Sequence, residues 1–375
     1  MRIGLNALFV IPGKVGGTEI YVRNLVRALG ATTHEYSLYV GREAAGTFDP
    51  LPANVREVAC SLDSESRPAR IAYEQTRLAL RARRDRLDLL HSLGYTAPLV
   101  LGCPSVVTLH DLNYHFHPED WARAALYANR LLVPRCARRA TRVLTISQSS
   151  RAAIRDVLGI PDTRIDVVYH GVDGNLARVH DDVRRAVRAK NQLDGDYLLS
   201  VTASHPHKNL DGLLAAYELA CATWDRPPPL VVVGIRGRDH ARVEGHRGRG
   251  RVVVTGWVDD TELSALYREA RLFVFASKYE GFGFPVLEAM SVGVPVASSN
   301  ATSLPELVGD AAIMFDPTRR EAIAEAMVRG CADQGLRERL ITAGRARAAG
   351  FLWNRCAAET VAVYQRAVRD RTGPA

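Results

Sequence analysis

Two glutamates that bracket a glycine-rich turn are the residues of this chain whose types and spacing most clearly indicate chemistry. The segment Glu280–Glu288 reads Glu-Gly-Phe-Gly-Phe-Pro-Val-Leu-Glu. The apolar run Arg271–Ser277 before it predicts a strand, and Pro285, with its fixed φ, predicts that a helix begins there. Glu280 is therefore expected at the carboxyl end of a strand and Glu288 in the opening turn of a helix, where open α/β sheets bind ligands.

This turn predicts binding of an anion beside hydroxyl groups. Gly281 and Gly283 remove side chains where a backbone must approach a ligand closely, and the amides at a helix start favour a phosphate. A carboxylate adds nothing to phosphate binding, so Glu280 and Glu288 are expected to accept hydrogen bonds from hydroxyls. The combination indicates a site for a sugar nucleotide. The alternative is an ordinary strand-turn-helix connection with two solvated glutamates.

Lys208 and His110 are further candidates because each follows a predicted strand. Lys208 comes after the strand Tyr197–Thr202 and before a helix that Asn209 or Asp211 could cap, a position that suits phosphate binding. His110 ends the apolar strand Ser105–Leu109, so we expect it at the ligand-binding edge of a sheet and not in the core. A surface lysine and a structural histidine are the alternatives.

The turn at Gly16 and Gly17 follows the first predicted strand and precedes a helix, the position of a phosphate or acceptor loop in doubly wound domains. It lacks the GxGxxG spacing, so a nicotinamide cofactor is not indicated. Ser147 and Gly171 also end predicted strands, and we assign them to positioning. The literal D-x-D at Asp194–Asp196 precedes a strand, so we interpret it as a turn and expect no metal ion.

Strands that alternate with helices along the whole chain must position these residues. Buried parallel sheets covered on both faces produce this pattern. We expect two doubly wound domains, residues 1–178 and 179–351, that face a central cleft. The chain has 375 residues, which is enough for two domains and too many for one ordinary core.

Composition places the protein among globular proteins of a reducing compartment. Hydrophobic residues make up 47% and charged residues 24%, which is typical of a soluble domain. The apolar start, Met1–Ile11, is short and is broken by Pro12, which favours a first strand over a signal peptide. No run is long enough to cross a bilayer. The 6 scattered cysteines lack metal or disulfide spacing and indicate free thiols in the cytoplasm.

The net charge of +8 is concentrated on two predicted helices of the first half. One contains seven arginines: Arg67, Arg70, Arg77, Arg81, Arg83, Arg84 and Arg86. The other mixes apolar residues, Trp121, Leu126, Tyr127, Leu131 and Leu132, with six arginines: Arg123, Arg130, Arg135, Arg138, Arg139 and Arg142. A solvated helix face is one explanation, and attachment to an anionic membrane surface or capture of a pyrophosphate-bearing acceptor is the other. Nucleic-acid binding is not expected, because no aromatic-basic platform accompanies the charge.

The ordered set of motifs resembles the retaining GT-B glycosyltransferases of family 4. The resemblance is carried by Glu280–Glu288, with its continuations Ala289–Ala297 and Ser303–Leu307, and by short motifs in family order along the chain. These motifs are Gly16–Glu19, Thr108–Asp111, Thr145–Ser147, His207–Asn209 and Thr255–Val258. It implies a GT-B fold, in which the final helix, about 352–375, returns to the first domain. It also implies a metal-independent transfer that retains the anomeric configuration, without a cofactor.

The resemblance also implies roles for individual residues. Lys208 binds the donor's phosphates, with the backbone of Gly16 and Gly17 nearby, and the amides near Phe282, Gly283 and Phe284 stabilise the leaving diphosphate. His110 and Glu280 lie beside the transferred sugar, and Glu288 binds the ribose. The backbone near Val258 contacts the base. Thr202 stands where the family usually has an arginine, which halves the expected cationic clamp.

The resemblance is compatible with more than one donor and acceptor. The segment His205–Asn209 resembles that of relatives that transfer mannose from GDP-mannose, and UDP-glucose or UDP-N-acetylglucosamine is the alternative. The acceptor is expected to be a saccharide, a lipid-linked saccharide or a small molecule, and the location cytoplasmic or at the inner face of the membrane. An epimerase or phosphorylase would keep the fold, but their signatures are missing. A non-catalytic scaffold that binds anionic polymers or membranes is the alternative of another class.

Overall fold

The protein, described by a computed structural model over residues 1–172, 176 and 179–372, divides into two compact units. The first unit comprises Met1–Gly171 and Leu352–Ala375, and the second comprises Val172–Phe351. Arg178, the last residue of the expected first domain, lies outside the described residues. Each unit contains one parallel sheet with helices around it, so the expectation of two doubly wound α/β domains is confirmed.

The sheet of the first unit has seven parallel strands in the order β3-β2-β1-β4-β5-β6-β7. They are β1 (Arg2–Asn6), β2 (Glu35–Val40), β3 (Val55–Ala59), β4 (Leu89–Ser92), β5 (Ser105–Thr108), β6 (Arg142–Thr145) and β7 (Ile165–Val167). β4, β5 and β6 are buried at every position. Burial on both faces explains why the central strands are runs of apolar residues without alternation. The order reverses between β1 and β4, which makes this pair the switch point of the sheet.

The helices of the first unit cover both faces of this sheet. They are α1 (Gly17–Leu29), α2 (Arg67–Tyr73), α3 (Ala79–Arg84), α4 (Asn113–Phe116), α5 (Arg123–Arg139), α6 (Gln148–Leu158) and the last helix, α15 (Trp353–Thr372). A π-helical segment, Glu74–Leu78, joins α2 to α3 where the sequence predicts one uninterrupted helix. Two short 3₁₀ turns are Pro118–Asp120 and Asp162–Arg164.

The final helix packs against the first unit. Val363, Tyr364 and Ala367 of α15 are fully buried in the same apolar cluster as Ile3 of β1 and Leu25 of α1. Tyr364 Oη also bonds to His91 Nδ1 of β4 at 2.7 Å. The carboxyl-terminal segment therefore forms part of the core of the first unit.

The second unit has six parallel strands in the order β10-β9-β8-β11-β12-β13. They are β8 (Leu198–Val201), β9 (Leu230–Val233), β10 (Val252–Gly256), β11 (Leu272–Phe275), β12 (Val296–Ser299) and β13 (Ile313–Phe315). The order reverses between β8 and β11, so the loops that follow these two strands flank the switch point.

The helices of the second unit are α7 (Asp181–Lys190), α8 (Leu210–Cys221), α9 (Gly237–Glu244), α10 (Asp260–Glu269), α11 (Phe284–Val292), α12 (Leu304–Val308), α13 (Arg320–Ala332) and α14 (Gln334–Ala348), with a 3₁₀ turn at Pro206–Lys208. The helix expected to begin at Pro285 begins one residue earlier, with Gly283 as its N-cap. Because of this shift, Glu288 lies in the second turn of α11 and not in its opening turn.

The other sequence features have simple structural outcomes. All six cysteines are free, and Cys331 is the only one of them that is not buried. Arg142, which the sequence groups with the basic helices, instead begins β6 and pairs with Asp166 at 2.5 Å and Asp370 at 2.6 Å. In the described part of the chain, no helix combines the length and the hydrophobicity that a membrane span requires.

Candidate active site

Lys208 is positioned by an unusual backbone conformation at the residue that follows it. Asn209 has a φ of 59°, in the left-handed region, and its side-chain amide donates to the carbonyls of Ala276 at 3.0 Å and Pro317 at 2.8 Å. The expectation that the Asn209 side chain caps α8 is therefore wrong. The amide instead ties the Lys208 turn to the segments that follow β11 and β13, because these carbonyls offer it buried acceptors.

The Lys208 ammonium meets the first glutamate of the glycine-rich turn. Nζ donates to Glu280 Oε1 at 2.7 Å, and the two side chains are 21% and 11% exposed. Lys208 follows β8 and Glu280 follows β11, the two strands at the switch point of this sheet. A cation and a carboxylate are thus paired, and largely shielded from water, at the edge where doubly wound sheets bind ligands.

Two hydroxyls fix the backbone of the Glu280 turn. The Glu280 amide donates to Thr302 Oγ1 at 2.9 Å, and Ser303 Oγ bonds to the carbonyls of Glu280 at 2.9 Å and Phe282 at 2.7 Å. Thr302 has a φ of 51°, a conformation that costs free energy for a residue with a β-carbon. Thr302 and Asn209, on the two sides of the Lys208–Glu280 pair, both have this left-handed backbone.

The start of α11 depends on a glycine. Gly283 has a φ of 128°, and a β-carbon there would lie 2.8 Å from Leu304 Cδ2. As N-cap it supplies no side-chain oxygen to the first turn of the helix. The positive end of the helix dipole therefore lies directly after the Glu280 turn, as an anion site requires.

The Phe282 ring is buried and lies 5.3 Å from the Phe284 ring and 6.1 Å from the Phe351 ring.

Glu288 has a partner that the sequence did not reveal. Tyr267 Oη, on α10, donates to Glu288 Oε2 at 2.9 Å and also contacts the Pro285 carbonyl at 3.3 Å. Burial, together with the neighbouring Glu288 carboxylate, raises the pKa of Tyr267 well above its ordinary value, so the phenol remains a donor. The orientation of the Glu288 carboxylate is consequently fixed from one side.

The loops after β8, β9 and β10 lie against one another. Gly234 has a φ of 97°, and a β-carbon at this position would lie 2.4 Å from the Thr202 carbonyl. The Gly234 amide donates to the Gly256 carbonyl at 2.8 Å. Thr202 Oγ1 is buried and has no hydrogen-bond partner among the described residues. Val258 is buried, whereas Trp257 is 68% exposed. The backbone near Val258 is thus held by a packed side chain, and Trp257 points to solvent.

Gly16 and Gly17, in the first unit, form the exposed start of α1. Gly16 has a φ of 56° and a ψ of −133°, which only glycine adopts without strain. Apart from its two chain neighbours, no described residue has a heavy atom within 4 Å of the position that a β-carbon would take. The Gly13 amide donates to Glu19 Oε2 at 2.8 Å and anchors the loop to the first helical turn. The space beside Gly16 is therefore open to a ligand.

His110 is buried, with 6% of its surface exposed. Its Nε2 lies 3.1 Å from the Leu93 carbonyl, and because that oxygen can only accept, we assign the proton to Nε2. Burial lowers the pKa of the imidazole despite the opposing effects of the Leu93 carbonyl and Asp111. The ring packs edge-on against Tyr21 at 5.0 Å. His110 is therefore a neutral group whose Nδ1 carries the lone pair.

A buried polar network lies behind His110. His91 Nε2 bonds to Thr108 Oγ1 at 2.7 Å, and Thr108 Oγ1 bonds to Tyr21 Oη at 3.2 Å. Burial lowers the pKa of His91 to about 3, so this imidazole is neutral. Tyr21 in turn contacts the His110 ring, so α1, β4, β5 and α15 together fix the ring's surroundings.

The remaining candidates have structural roles. Ser147 Oγ accepts from the Ser150 amide at 3.0 Å and caps α6. A β-carbon on Gly171 would lie 2.3 Å from the Trp353 amide nitrogen, so this glycine permits a close backbone approach. Asp196 of the literal D-x-D pairs with Arg271 at 3.2 Å. Among the described residues, no group of three or more His, Cys, Asp and Glu could hold a metal ion.

The structure brings some of the predicted residues of the second unit into direct contact. Lys208 and Glu280 form an ion pair, and Glu288 follows them on the same strand-turn-helix connection. Gly16, Gly17 and His110 belong to the first unit. Sequence reasoning missed Tyr267 and Thr302, since neither belongs to a motif or ends a predicted strand.

Comparison with known proteins identifies the family. The model of glycosyltransferase family 4 matches residues 15–176, and the model of glycosyl transferases group 1 matches residues 183–347. The O-antigen chain mannosyltransferase B of Escherichia coli is 36% identical over 276 residues, which are 70% of this chain and 70% of that protein. The MMP alpha-(1->4)-mannosyltransferase of Mycolicibacterium hassiacum is 27% identical, over 94% of this chain and 95% of that protein.

Solved structures agree on the architecture. The sucrose-phosphate synthase of Thermosynechococcus elongatus superimposes with a TM-score of 0.77 at 20% identity, covering 98% of both chains. At this identity the likeness shows the GT-B fold alone. Together with the two family models and the relative from Escherichia coli, it establishes that this chain belongs to the family 4 glycosyltransferases, the glycosyl transferases group 1.

Proposed function

We propose that this glycosyltransferase moves a mannosyl group from GDP-mannose to an acceptor hydroxyl and retains the anomeric configuration. The observation that carries the proposal is the Lys208–Glu280 ion pair of 2.7 Å at the switch point of the second sheet. The names of the relatives from Escherichia coli and Mycolicibacterium hassiacum, both mannosyltransferases, support mannose as the sugar.

The ion pair is suited to exchange partners when the donor binds. A diphosphate presents more negative charge than one carboxylate, so it competes for the Lys208 ammonium. Glu280 then becomes available to accept hydrogen bonds from hydroxyls of the transferred sugar. In the ligand-free protein the pair keeps both charged groups satisfied and in position, which limits the reorganisation that donor binding requires.

The leaving group gathers negative charge as the bond between the sugar and the diphosphate breaks. Lys208 and the positive end of α11, after Gly283, are placed to stabilise that charge while it develops. Glu288 accepts from the ribose hydroxyls, and Tyr267 holds it in the required orientation. The backbone near Val258 contacts the base.

The acceptor hydroxyl loses its proton to the departing phosphate oxygen, on the same face of the sugar. This route leaves no task for a protein base. The neutral His110 accepts a hydrogen bond from a sugar hydroxyl through Nδ1, because its Nε2 proton is committed to the Leu93 carbonyl. The proposal includes independence from metal ions and from a separate cofactor.

Mixing the protein with GDP-mannose and a short mannose oligosaccharide tests the reaction. We expect release of GDP, a product whose new linkage has the configuration of the donor by NMR, and the same rate with a chelator present. A faster release of UDP from UDP-glucose or UDP-N-acetylglucosamine would favour the alternative donor, with a lipid-linked or small-molecule acceptor. No nucleoside diphosphate release from any donor would favour the non-catalytic scaffold.

A cytoplasmic enzyme that binds peripherally to the membrane is a second element of the proposal, favoured by the exposed face of α5. Tyr127 is 76% and Leu131 45% exposed, and Arg130 and Arg135 are exposed on the same side of the helix. Apolar and cationic side chains on one face suit an anionic headgroup layer. Vesicle sedimentation tests this, since equal partitioning onto neutral and anionic vesicles would contradict it.

A further inference from the structure

The switch point of the first sheet carries a group of polar side chains that the proposed mechanism does not use. Asn6 ends β1 and Ser92 ends β4, the two strands between which the strand order reverses. Asn6 Nδ2 donates to Ser92 Oγ at 3.2 Å and to Glu74 Oε1 at 3.3 Å. Doubly wound sheets bind ligands at this place, outside the carboxyl ends of the strands.

Glu74 is the centre of this group. Its side chain is 1% exposed, and Thr96 Oγ1 donates to its Oε2 at 2.7 Å. Burial raises the pKa of Glu74 to about 7, and nearby Arg70, Asn6 and Thr96 only partly offset that effect. Each carboxyl oxygen accepts one hydrogen bond from the protein, so the buried carboxyl is held in place.

Two arginines of α2 lie close enough to Glu74 to interact with it electrostatically, but neither forms a hydrogen bond or an ion pair with it. Arg70 is half-buried, and in the described part of the chain its side chain forms no hydrogen bond and no ion pair. Arg67 donates to Asn129 Oδ1 of α5, while its Nε is buried and without a hydrogen-bond partner among the described residues. Burial lowers the pKa of both guanidinium groups.

Two features of the region around Glu74 cost free energy in the folded protein. Donors that are withdrawn from water without a partner destabilise the folded protein, and buried polar groups in native proteins normally have partners. The helix also adopts the π conformation from Glu74 to Leu78, a departure that is frequent at functional sites. A ligand that supplies oxygen acceptors to the guanidinium groups would offset the first cost.

We propose that Arg67 and Arg70 bind a phosphate group of the acceptor beside this switch point, where the buried Glu74 supports the two guanidinium groups electrostatically. The assignment rests on the proposed function, since a transferase requires an acceptor site. Guanidinium groups match phosphate oxygens in bidentate geometry. Two cations suit a phosphate monoester, with a charge of about −1.5 to −2, or a diphosphate bridge, which carries one negative charge on each phosphate, better than a carboxylate.

Two kinds of acceptor carry this chemistry: a phosphorylated sugar and a polyprenyl diphosphate-linked saccharide. Mannose 6-phosphate and farnesyl diphosphate are probes for the two sources, and mannose is the neutral control ligand. Their dissociation constants are measured by calorimetry for the wild-type protein, Arg70→Gln and Arg84→Gln. Arg84 is the matched control because it is exposed and lies at the end of the same helical stretch, in α3.

We expect the wild-type protein to bind one of the phosphate probes and mannose much more weakly. Arg70→Gln should weaken that binding by about tenfold or more, and Arg84→Gln should leave it unchanged. The preferred probe identifies the source of the phosphate. Arg67→Gln gives a second, independent variant, and circular dichroism melting checks that each variant is folded.

Three results would overturn the proposal. They are no binding of either phosphate probe, equal losses in Arg70→Gln and Arg84→Gln, or a parallel loss of GDP affinity in Arg70→Gln, which would assign the arginines to the donor. Failure of the proposed function is visible separately, since the wild-type protein would then release no GDP from GDP-mannose even if the phosphate probe still bound.

Discussion

The Lys208 ammonium and the Glu280 carboxylate, 72 positions apart in the sequence, are joined by a hydrogen bond of 2.7 Å. The two residues follow adjacent strands, β8 and β11, and each is held by a backbone in the left-handed region, at Asn209 and at Thr302. This relationship makes separable predictions for the cation and for the carboxylate.

Removal of the cation should damage the chemical step. Lys208→Gln is expected to lower the transfer rate by about 100-fold or more, because the leaving diphosphate loses its stabilising charge, and to weaken GDP binding. Steady-state release of GDP and a binding titration measure the two effects. Lys278→Gln is the control, since Lys278 is exposed and lies two residues from Glu280. Unchanged GDP affinity in Lys208→Gln would contradict the phosphate-binding role.

Removal of the charge of Glu280 should affect binding of the nucleotide and transfer of the sugar differently. Glu280→Gln releases Lys208 from its ion pair, so GDP should bind at least as tightly as in the wild-type protein. Transfer from GDP-mannose should nevertheless fall, by about tenfold or more, because the amide is a weaker acceptor for the sugar hydroxyls. Calorimetry with GDP and kinetics with GDP-mannose compare the two. Parallel losses of GDP affinity and turnover would show that Glu280 does not contact the sugar.

The Tyr267–Glu288 pair should control affinity for the nucleotide and not the chemical step. Tyr267→Phe removes the donor to Glu288 Oε2 while it retains the ring, so we expect the KM for the donor to rise several-fold with kcat almost unchanged. Glu288→Ala removes the ribose acceptor itself and should raise KM by about tenfold, or 1–2 kcal/mol. A variant Glu288→Ala with wild-type KM would refute the ribose assignment.

Two glycines should respond differently to a methyl group. Gly283→Ala combines a forbidden φ of 128° with a contact of 2.8 Å to Leu304, so it should lower the free energy of unfolding by about 1–3 kcal/mol and reduce activity. Gly16→Ala meets no neighbouring atom and carries backbone strain alone. Urea unfolding should therefore show a smaller loss for Gly16→Ala, while its donor KM rises. A larger loss of stability for Gly16→Ala would contradict this order.

Acid should destabilise the first unit through its buried histidines. The pKa of His91 is lowered from 6.5 to about 3 by burial, so its contribution is fully present above pH 6.5 and is lost as the pH falls toward 3. One such histidine changes the free energy of unfolding by at most about 1.4 kcal/mol per pH unit. The pKa values of His110 and His170 are also lowered, so they act in the same direction.

Between pH 4.5 and pH 6.5, the titration of Glu74 changes the free energy of unfolding in the opposite direction to the titration of the histidines. Its pKa is raised from 4.5 to about 7, so the folded protein holds a proton that the unfolded chain releases, and stability falls as the pH rises between these values. Urea unfolding at several pH values, in wild type and in His91→Gln, measures the balance. Below pH 6.5, the slope of the free energy of unfolding against pH should be smaller in His91→Gln than in wild type, by the amount that corresponds to about one proton. Identical slopes would show that His91 titrates normally in the folded protein.

Much of the fold could be predicted because parallel sheets leave a local signal. β9 and β11 are buried on both faces, and their sequences, Leu-Val-Val-Val and Leu-Phe-Val-Phe, are uninterrupted apolar runs bounded by polar loops. Gly283 could likewise be identified as a close-approach position, since it lies in a glycine-rich turn two residues before Pro285, which marks the start of a helix. These features depend on residues near one another in the chain.

The sequence did not reveal the π segment at Glu74 or the role of Asn209. The apolar residues have the same helical period before and after a π turn. The period therefore predicts a single helix and does not reveal the π segment. Asparagine before a helix normally caps it through Oδ1 from an extended backbone, but Asn209 has a left-handed backbone and its Nδ2 donates to the buried carbonyls of Ala276 and Pro317. Both outcomes were decided by neighbours from other elements.

By itself, then, the sequence determined two doubly wound domains, the glycine-rich turn and the family to which they belong, because strand burial and backbone requirements act over a few residues. Only the tertiary structure decided which side chains meet: Lys208 with Glu280, Tyr267 with Glu288, and Glu74 with Asn6, 68 positions away. Periodicity tells which face of an element is buried. The identity of the partner across that face depends on strand order and loop geometry, which only the folded chain supplies.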